Sequence, residues 1–270
     1  MVDNRYWGRS PDGKRPLHDP EIRRLLESRA TRNRSFDHDL ATLTETFDQI
    51  SPQDRKAGHV FLLARPTMPA NALPSELVSA WPQIVSHTTT MRYADFEGLS
   101  GVFNRLPHPD GPAATSAPPH IGARTEELVH AVPIKDSGHI GEIHAFSGAG
   151  TFPRPDQPPA VSPMVIVQLV HQLLMLADHV GRTQLSSETG WQVGLHITGL
   201  LEATATTPGT AGAHRYPRET FTQSLTATAA QLAEDSTALT KHLVAPLLRG
   251  LGASWVLDKY AGPDSIRHLR

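Results

Sequence analysis

Residues Met164–Val180 are the most apolar stretch of the chain, and they are apolar almost all the way round a helix. A helix of that kind has no polar face to offer water, so it must lie between layers of other structure. It also carries Gln168, His171, Gln172, Asp178 and His179. A lipid-facing helix of about 20 residues would not tolerate that set. Ser162-Pro163 opens the helix and Gly181 is expected to close it. The N-terminus Met1–Trp7 has no apolar run of the signal-peptide type, so a cytoplasmic chain with no membrane partner is expected.

The second layer is read as a sheet. Strands are predicted at His59–Arg65, His87–Tyr93, Ser100–Leu106, Glu127–Ile134, His139–Phe146 and Trp191–Gly199, the last extending to Thr204. Lys135–Gly138 reads as the turn of a hairpin. Ile140, Glu142 and His144 alternate with Gly141, Ile143 and Ala145, which leaves the register of that strand unreadable. Pro107–Pro119 and Pro153–Pro163 are read as loops, because proline cannot donate to a central ladder. Thr207–His214 is a further loop, and the Thr/Ala-rich segment after Tyr216–Thr220 is assigned to helix. Ser236 is expected to cap the last helix, 236–251, with Pro246 kinking it and Gly250 or Gly252 ending it.

Ahead of the sheet, Ser10-Pro11-Asp12-Gly13 is a turn signal between two short strands, Arg5–Arg9 and Lys14–Leu17. Asp19-Pro20-Glu21 then starts a helix. No Gly or Pro occurs from Glu21 to Ile50, and Phe36, Leu40, Leu43, Phe47 and Ile50 form an apolar seam. Arg29 and Asn33 interrupt its first half, which favours a break near Asn33–Ser35. The seam suits intramolecular packing first and a homo-oligomer contact second. The predicted fold class is α+β: a mostly antiparallel sheet of five to seven strands, a buried helix 163–180, a C-terminal helix 236–251 and an N-terminal helical segment. The expected divisions are a hairpin at 1–18, a helical connector at 19–56, an α+β domain at 57–258 and a loose tail at 259–270.

Composition excludes several chemistries. The 270 residues include no cysteine, which removes disulfides, thiolate metal sites and a thiol nucleophile. A globule of that length buries roughly 75% of its unfolded surface and needs no staple. Fifteen histidines raise the question of a metal, but no H-E-x-x-H occurs, and His171 and His179 stand more than two helical turns apart. Nor is there a G-x-S-x-G elbow or a Walker A loop, and Gly148-Ala149-Gly150 lacks the rest of a dinucleotide motif. No catalytic residue, metal or cofactor is assigned. A small-molecule sensor or hydrolytic enzyme with a pocket near His130, His139, His144 and His196 is the alternative class.

Charge is uneven. Residues 1–34 carry nine basic side chains (Arg5, Arg9, Lys14, Arg15, Arg23, Arg24, Arg29, Arg32, Arg34) against five acidic ones, a local +4, in a chain whose formal charge is −2. Arginines beside Tyr6 and Trp7 can hold phosphates while an aromatic ring stacks on a base. The candidate nucleic-acid contacts are Arg5, Tyr6, Trp7, Arg9, Lys14, Arg15, Arg23 and Arg24.

Those residues also carry a family likeness. Arg5-Tyr6-Trp7-Gly8-Arg9-Ser10, followed by Lys14–Leu25, resembles the end of the Schlafen AlbA-type domain: a Tyr-x-x-Arg strand, a basic-Pro-Leu turn and an Asp-x-Glu helix start. Gly190–Gly194, Thr198-Gly199-Leu200, Tyr216 and Val244–Gly252 are similar to the C-terminal part of actinobacterial proteins with that domain. The resemblance implies DNA or RNA binding, ATP binding in some annotations, and an acidic-residue nuclease in some relatives. The body of that domain would lie upstream of Arg5. The expectation is therefore a non-enzymatic accessory region without the nuclease or nucleotide site.

Overall fold

The computed structural model describes residues 7–10, 13–16, 19–48, 58–67, 75–88, 91–92, 99, 104–106, 113–115, 127–133, 140–147, 151–154, 157–184, 190–206, 214–260 and 267–268. The chain divides into two compact units, Met1–Asp39 and Leu40–Arg270. In the first, β1 (Trp7–Ser10) and β2 (Gly13–Pro16) pair antiparallel with Ser10 opposite Gly13, which gives the expected hairpin. Helix α1 then runs unbroken over Asp19–Asp48, which corrects the break expected near Ser35. With no Gly or Pro to interrupt it, Ser35 stays helical and its hydroxyl bonds Asp39 one turn on at 3.3 Å instead of capping. Phe36, Leu40 and Leu43 of the seam are buried within the chain, whereas Leu26 is exposed. The side chain of Phe47, and Ile50 altogether, lie outside the described residues.

In the second unit β3 (Val60–Pro66) is followed by α2 (Ser75–Thr88), β4 (Met91–Arg92), β5 (Asn104–Leu106), β6 (Ala113–Thr115), β7 (Glu127–Pro133) and β8 (Ile140–Ser147). Then come β9 (Thr151–Arg154), β10 (Gln157–Val161), α3 (Pro163–Gln184), β11 (Trp191–Ile197), β12 (Thr204–Ala205) and β13 (Phe221–Ala227). The unit ends with α4 (Ala229–Gly250), α5 (Trp255–Tyr260) and β14 (Arg267–His268). Seven strands form one sheet in the order β13-β11-β3-β8-β7-β6-β5, and every neighbouring pair is antiparallel. The α+β class, the antiparallel sheet, the buried helix and the C-terminal helix are as expected.

The two faces of the sheet differ. Val60, Leu62 and Ala64 of β3, Ile143 and Ala145 of β8, and Trp191, Val193, Leu195 and Ile197 of β11 join α3 and α4 in one core cluster. Alternate residues turn to the other side. All seven residues of β11 are buried, so both faces of the sheet are covered there.

Helix α3 sits in this core as its all-round apolarity requires; it is the one described helix long and apolar enough to cross a membrane, and 72% of that window is buried. Two of its polar side chains are hydrogen-bonded or ion-paired. Gln172 Oε1 accepts the Leu99 N–H at 2.9 Å, and Asp178 pairs with Arg182. The helix runs past Gly181, which was expected to end it. Without a side chain, Gly181 lets the indole of Trp191 close on the helix: a Cβ there would lie 3.0 Å from Nε1.

Other expectations fail for identifiable reasons. His87 and Thr88, assigned to a strand, end helix α2, which contains Pro82; the strand there is Met91–Arg92. Residues 107–119 hold β6, an interior strand whose three residues lie between the prolines. Residues 153–163 hold β10, central in the sheet β12-β10-β9, with Pro158 and Pro159 at its register shift. Thr204 belongs to that second sheet and not to an extension of β11. Phe221–Ala227, assigned to helix, is strand β13, in keeping with the low helix propensity of Thr.

Helix α4 starts at a capping box formed by Thr228 and Gln231, earlier than the predicted cap at Ser236. Its kink lies at Asp235 (φ −122°, ψ 21°), not at Pro246. Gly252 beyond its end takes φ +66°, a conformation suited to glycine. Within residues 259–270, expected to be a loose tail, Tyr260 is buried in α5 and Arg267–His268 form β14, which pairs with β4; residues 261–266 and 269–270 lie outside the described residues. The turn 135–138, His139 and residues 100–103 lie outside the described residues.

Candidate functional site

The basic candidates fall in the first unit. Arg5 and Tyr6 lie outside the described residues. In the hairpin ladder Trp7 is opposite Pro16, Arg9 opposite Lys14, and Arg15 opposite Gly8. Arg23, Arg24 and Arg34 are exposed on α1. The structure thus brings the basic residues onto a hairpin and the helix that follows it.

Of the candidate histidines, His144 and His196 have described side chains, and these two do not share a centre. His144 on β8 and His196 on β11 share the sheet face opposite the helices, but β3 runs between them and each has its own partner. Nδ1 of His196 is 2.8 Å from the Thr222 hydroxyl on β13, and its ring lies tilted by 41° to that of Phe61 with centroids 6.0 Å apart. His130 lies opposite His144 in the β7–β8 ladder. Among the described residues no group of three or more His, Asp or Glu could hold a metal ion.

What sequence reading missed on this face is a half-buried chain of polar contacts running through Glu142. Glu142 Oε1 accepts the Arg65 Nε–H at 2.7 Å, and its Oε2 lies 2.6 Å from Nε2 of His144. Burial alone would raise the Glu142 pKa; the hydrogen bond and charge of His144, with the Arg65 guanidinium, outweigh it and hold the carboxyl below its ordinary range. The pairing of Arg65 with Glu142 depends on strand register, which the sequence left open.

A second polar site lies between α3 and α4. Met175, Asp178, His179 and Arg182 fall on one stripe of α3 and meet Leu232, Ala233 and Ser236 of α4 around a cleft of about 350 Å³. The helices run antiparallel there, since Thr240 lies beside His171 (3.4 Å) and Ser236 is on the side toward Asp178. Burial raises the Asp178 pKa, with Arg182 and His179 pulling it back. Burial lowers that of His179, and the charges of Arg182 and His87 add to the effect against Asp178.

These shifts fix an acid-side stability profile. Burial lowers the pKa of both His196 and His179, so the unfolded chain takes up these protons first, from about pH 6.5 downward. Stability is full above that pH and falls below it. Glu142 adds a later loss, as pH drops through its depressed folded value from the unfolded one near about 4.3. Asp178, with a raised pKa, acts in the opposite sense and offsets part of this. The melting temperature is expected to be level near pH 8 and to decline below about pH 6.5. His196→Gln should flatten the first part of that decline; an unchanged slope in this variant would assign the effect elsewhere.

No family model matches the chain, and neither does any curated protein or solved structure.

Proposed function

We propose that this chain is a non-enzymatic accessory region of a Schlafen AlbA-type protein, acting in the cytoplasm, which engages nucleic acid through its basic N-terminal segment. The observation that carries this reading is the compact unit Met1–Asp39, in which a hairpin bearing Arg9, Lys14 and Arg15 leads into a helix with Arg23 and Arg24 exposed. Phosphate contacts from exposed arginines need no pocket, only a surface on which several cations face the same backbone.

Binding to labelled single- and double-stranded DNA and RNA over a salt series tests it. Affinity should fall steeply with salt. Arg23→Glu combined with Arg24→Glu should weaken binding by about tenfold or more at low salt and reduce the log–log salt slope by about 2. Both side chains are exposed, so the variant should melt like the parent. Unchanged affinity in that variant, or no binding at low salt, would overturn the reading.

A further inference from the structure

We propose that the cleft between α3 and α4 binds a small zwitterion of the α-amino-acid class with a short apolar side chain. The argument starts from what a core helix should contain. From Met164 to Val180 α3 is apolar on nearly every side, yet at its C-terminal end Asp178, His179 and Arg182 stand on the stripe that faces α4. Asp178 is only 8% exposed, and a carboxylate taken that far out of water needs compensation. Arg182, one turn on, supplies part of it. The guanidinium has five N–H donors in a planar fork, and the Arg182 side chain is 61% exposed, so the ion pair leaves donors directed outward.

The facing wall of α4 contributes a hydroxyl at Ser236 and apolar surface at Leu232 and Ala233. It does so at the kink, where Asp235 leaves helical geometry next to Ser236.

The charges select the ligand. Asp178 and Arg182 cancel, and the His179 ring, its pKa lowered by burial, is neutral at physiological pH. A simple anion would meet Asp178, and a simple cation would meet Arg182. A molecule with both charges meets neither penalty: its ammonium reaches the carboxylate of Asp178, while its carboxylate takes the remaining guanidinium N–H groups and the Ser236 hydroxyl. Two opposed ion pairs side by side attract along all four edges of the square of charges, and this outweighs the repulsion of like charges across its longer diagonals. Met175 and Ala233 leave a small apolar surface for a short side chain. At about 350 Å³ the cleft is at the small end of ligand sites, which suits an amino acid and not a nucleotide.

The test is calorimetric titration of the full chain with L-leucine, L-methionine and L-valine. Leucine is matched by two single-charge probes, 3-methylbutylamine and 4-methylpentanoate. A zwitterion should bind with Kd of about 1 mM or tighter, and each single-charge probe at least about tenfold more weakly. Arg182→Gln should reduce leucine to the affinity of the amine; because it also takes from Asp178 its ion-pair partner, its melting temperature should fall, and binding is read well below that temperature. Ala233→Phe, which projects a ring into the cleft from an exposed helical position, should abolish binding. The proposal is overturned if none of the three amino acids binds at about 20 mM, if the amine or acid binds as well as leucine, or if both variants bind as the parent does. Arg23→Glu with Arg24→Glu serves as a control and should bind the zwitterion unchanged, which separates this site from the nucleic-acid surface.

Discussion

Trp191→Ala is expected to lower the unfolding free energy by about 3–5 kcal/mol, among the largest losses any single truncation here would cause. Trp191 is fully buried at the start of β11, where Pro66 of β3 and Ala227 of β13 flank it in the ladder. Its indole lies against α3 at Gly181. Removing the ring leaves a cavity at the junction of sheet and helix.

The glycines around it act in the same way. Gly181→Ala should change stability by under about 1 kcal/mol, because a gain in helix propensity offsets a tight 3.0 Å contact with an indole that can shift a little. Gly190→Ala should cost more, about 1–3 kcal/mol, since its Cβ would lie 2.9 Å from the backbone carbonyl of Ala227, which cannot swing away. Urea unfolding of the three variants checks the order Trp191, Gly190, Gly181. A Trp191→Ala loss below about 1 kcal/mol would mean the indole is not seated in the core.

The same contacts explain much of what was legible in the sequence. Strands β3, β7, β8 and β11 and helix α3 lie within a residue or two of their expected bounds at nearly every end, because continuous apolar runs between turn residues have few other ways to be buried. Glycine and proline misled where they serve packing and not punctuation. Gly181 admits an indole, Pro82 sits inside α2, and Pro158 and Pro159 occupy a register shift in β10. Two other glycines sit where packing is close: Gly190 precedes Trp191, and a Cβ on Gly250 would meet the Tyr216 ring at 2.7 Å. The polar sites were less legible. Asp178 and His179 stand out in the sequence as reasons to reject a membrane helix, and His179 as a residue too far from His171 to share a metal; Ser236 and Leu232, which line the same cleft, come from a segment whose start and kink the sequence does not reveal. Glu142 and Arg65 meet only once β3 and β8 are in register.

Tyr260→Ala is expected to cost about 3–5 kcal/mol, although the residue stands near the end of a chain whose tail reads as loose. Its ring is 3% exposed, and it meets His171 of α3 edge-on with centroids 5.8 Å apart. The phenol is hydrogen-bonded to Nδ1 of His171, with Thr240 of α4 beside the same nitrogen. Burial raises the hydroxyl pKa to about 12, against the hydrogen bonds of Thr240 and Thr237. One side chain of α5 therefore joins both core helices, and losing it removes apolar area and strands a buried imidazole. Tyr260→Phe separates the two contributions. It keeps the ring and should cost only about 1–2 kcal/mol, the value of a buried hydrogen bond whose partner is left unsatisfied. It has an alkaline signature as well. With a folded pKa above the unfolded one near about 10, Tyr260 contributes stability that is lost as pH rises through about 12. The phenylalanine variant should lose less stability than the parent over that window. If alanine and phenylalanine both fall within about 0.5 kcal/mol of the parent, the end of the chain does not hold α3 to α4, and the His171 contact is incidental.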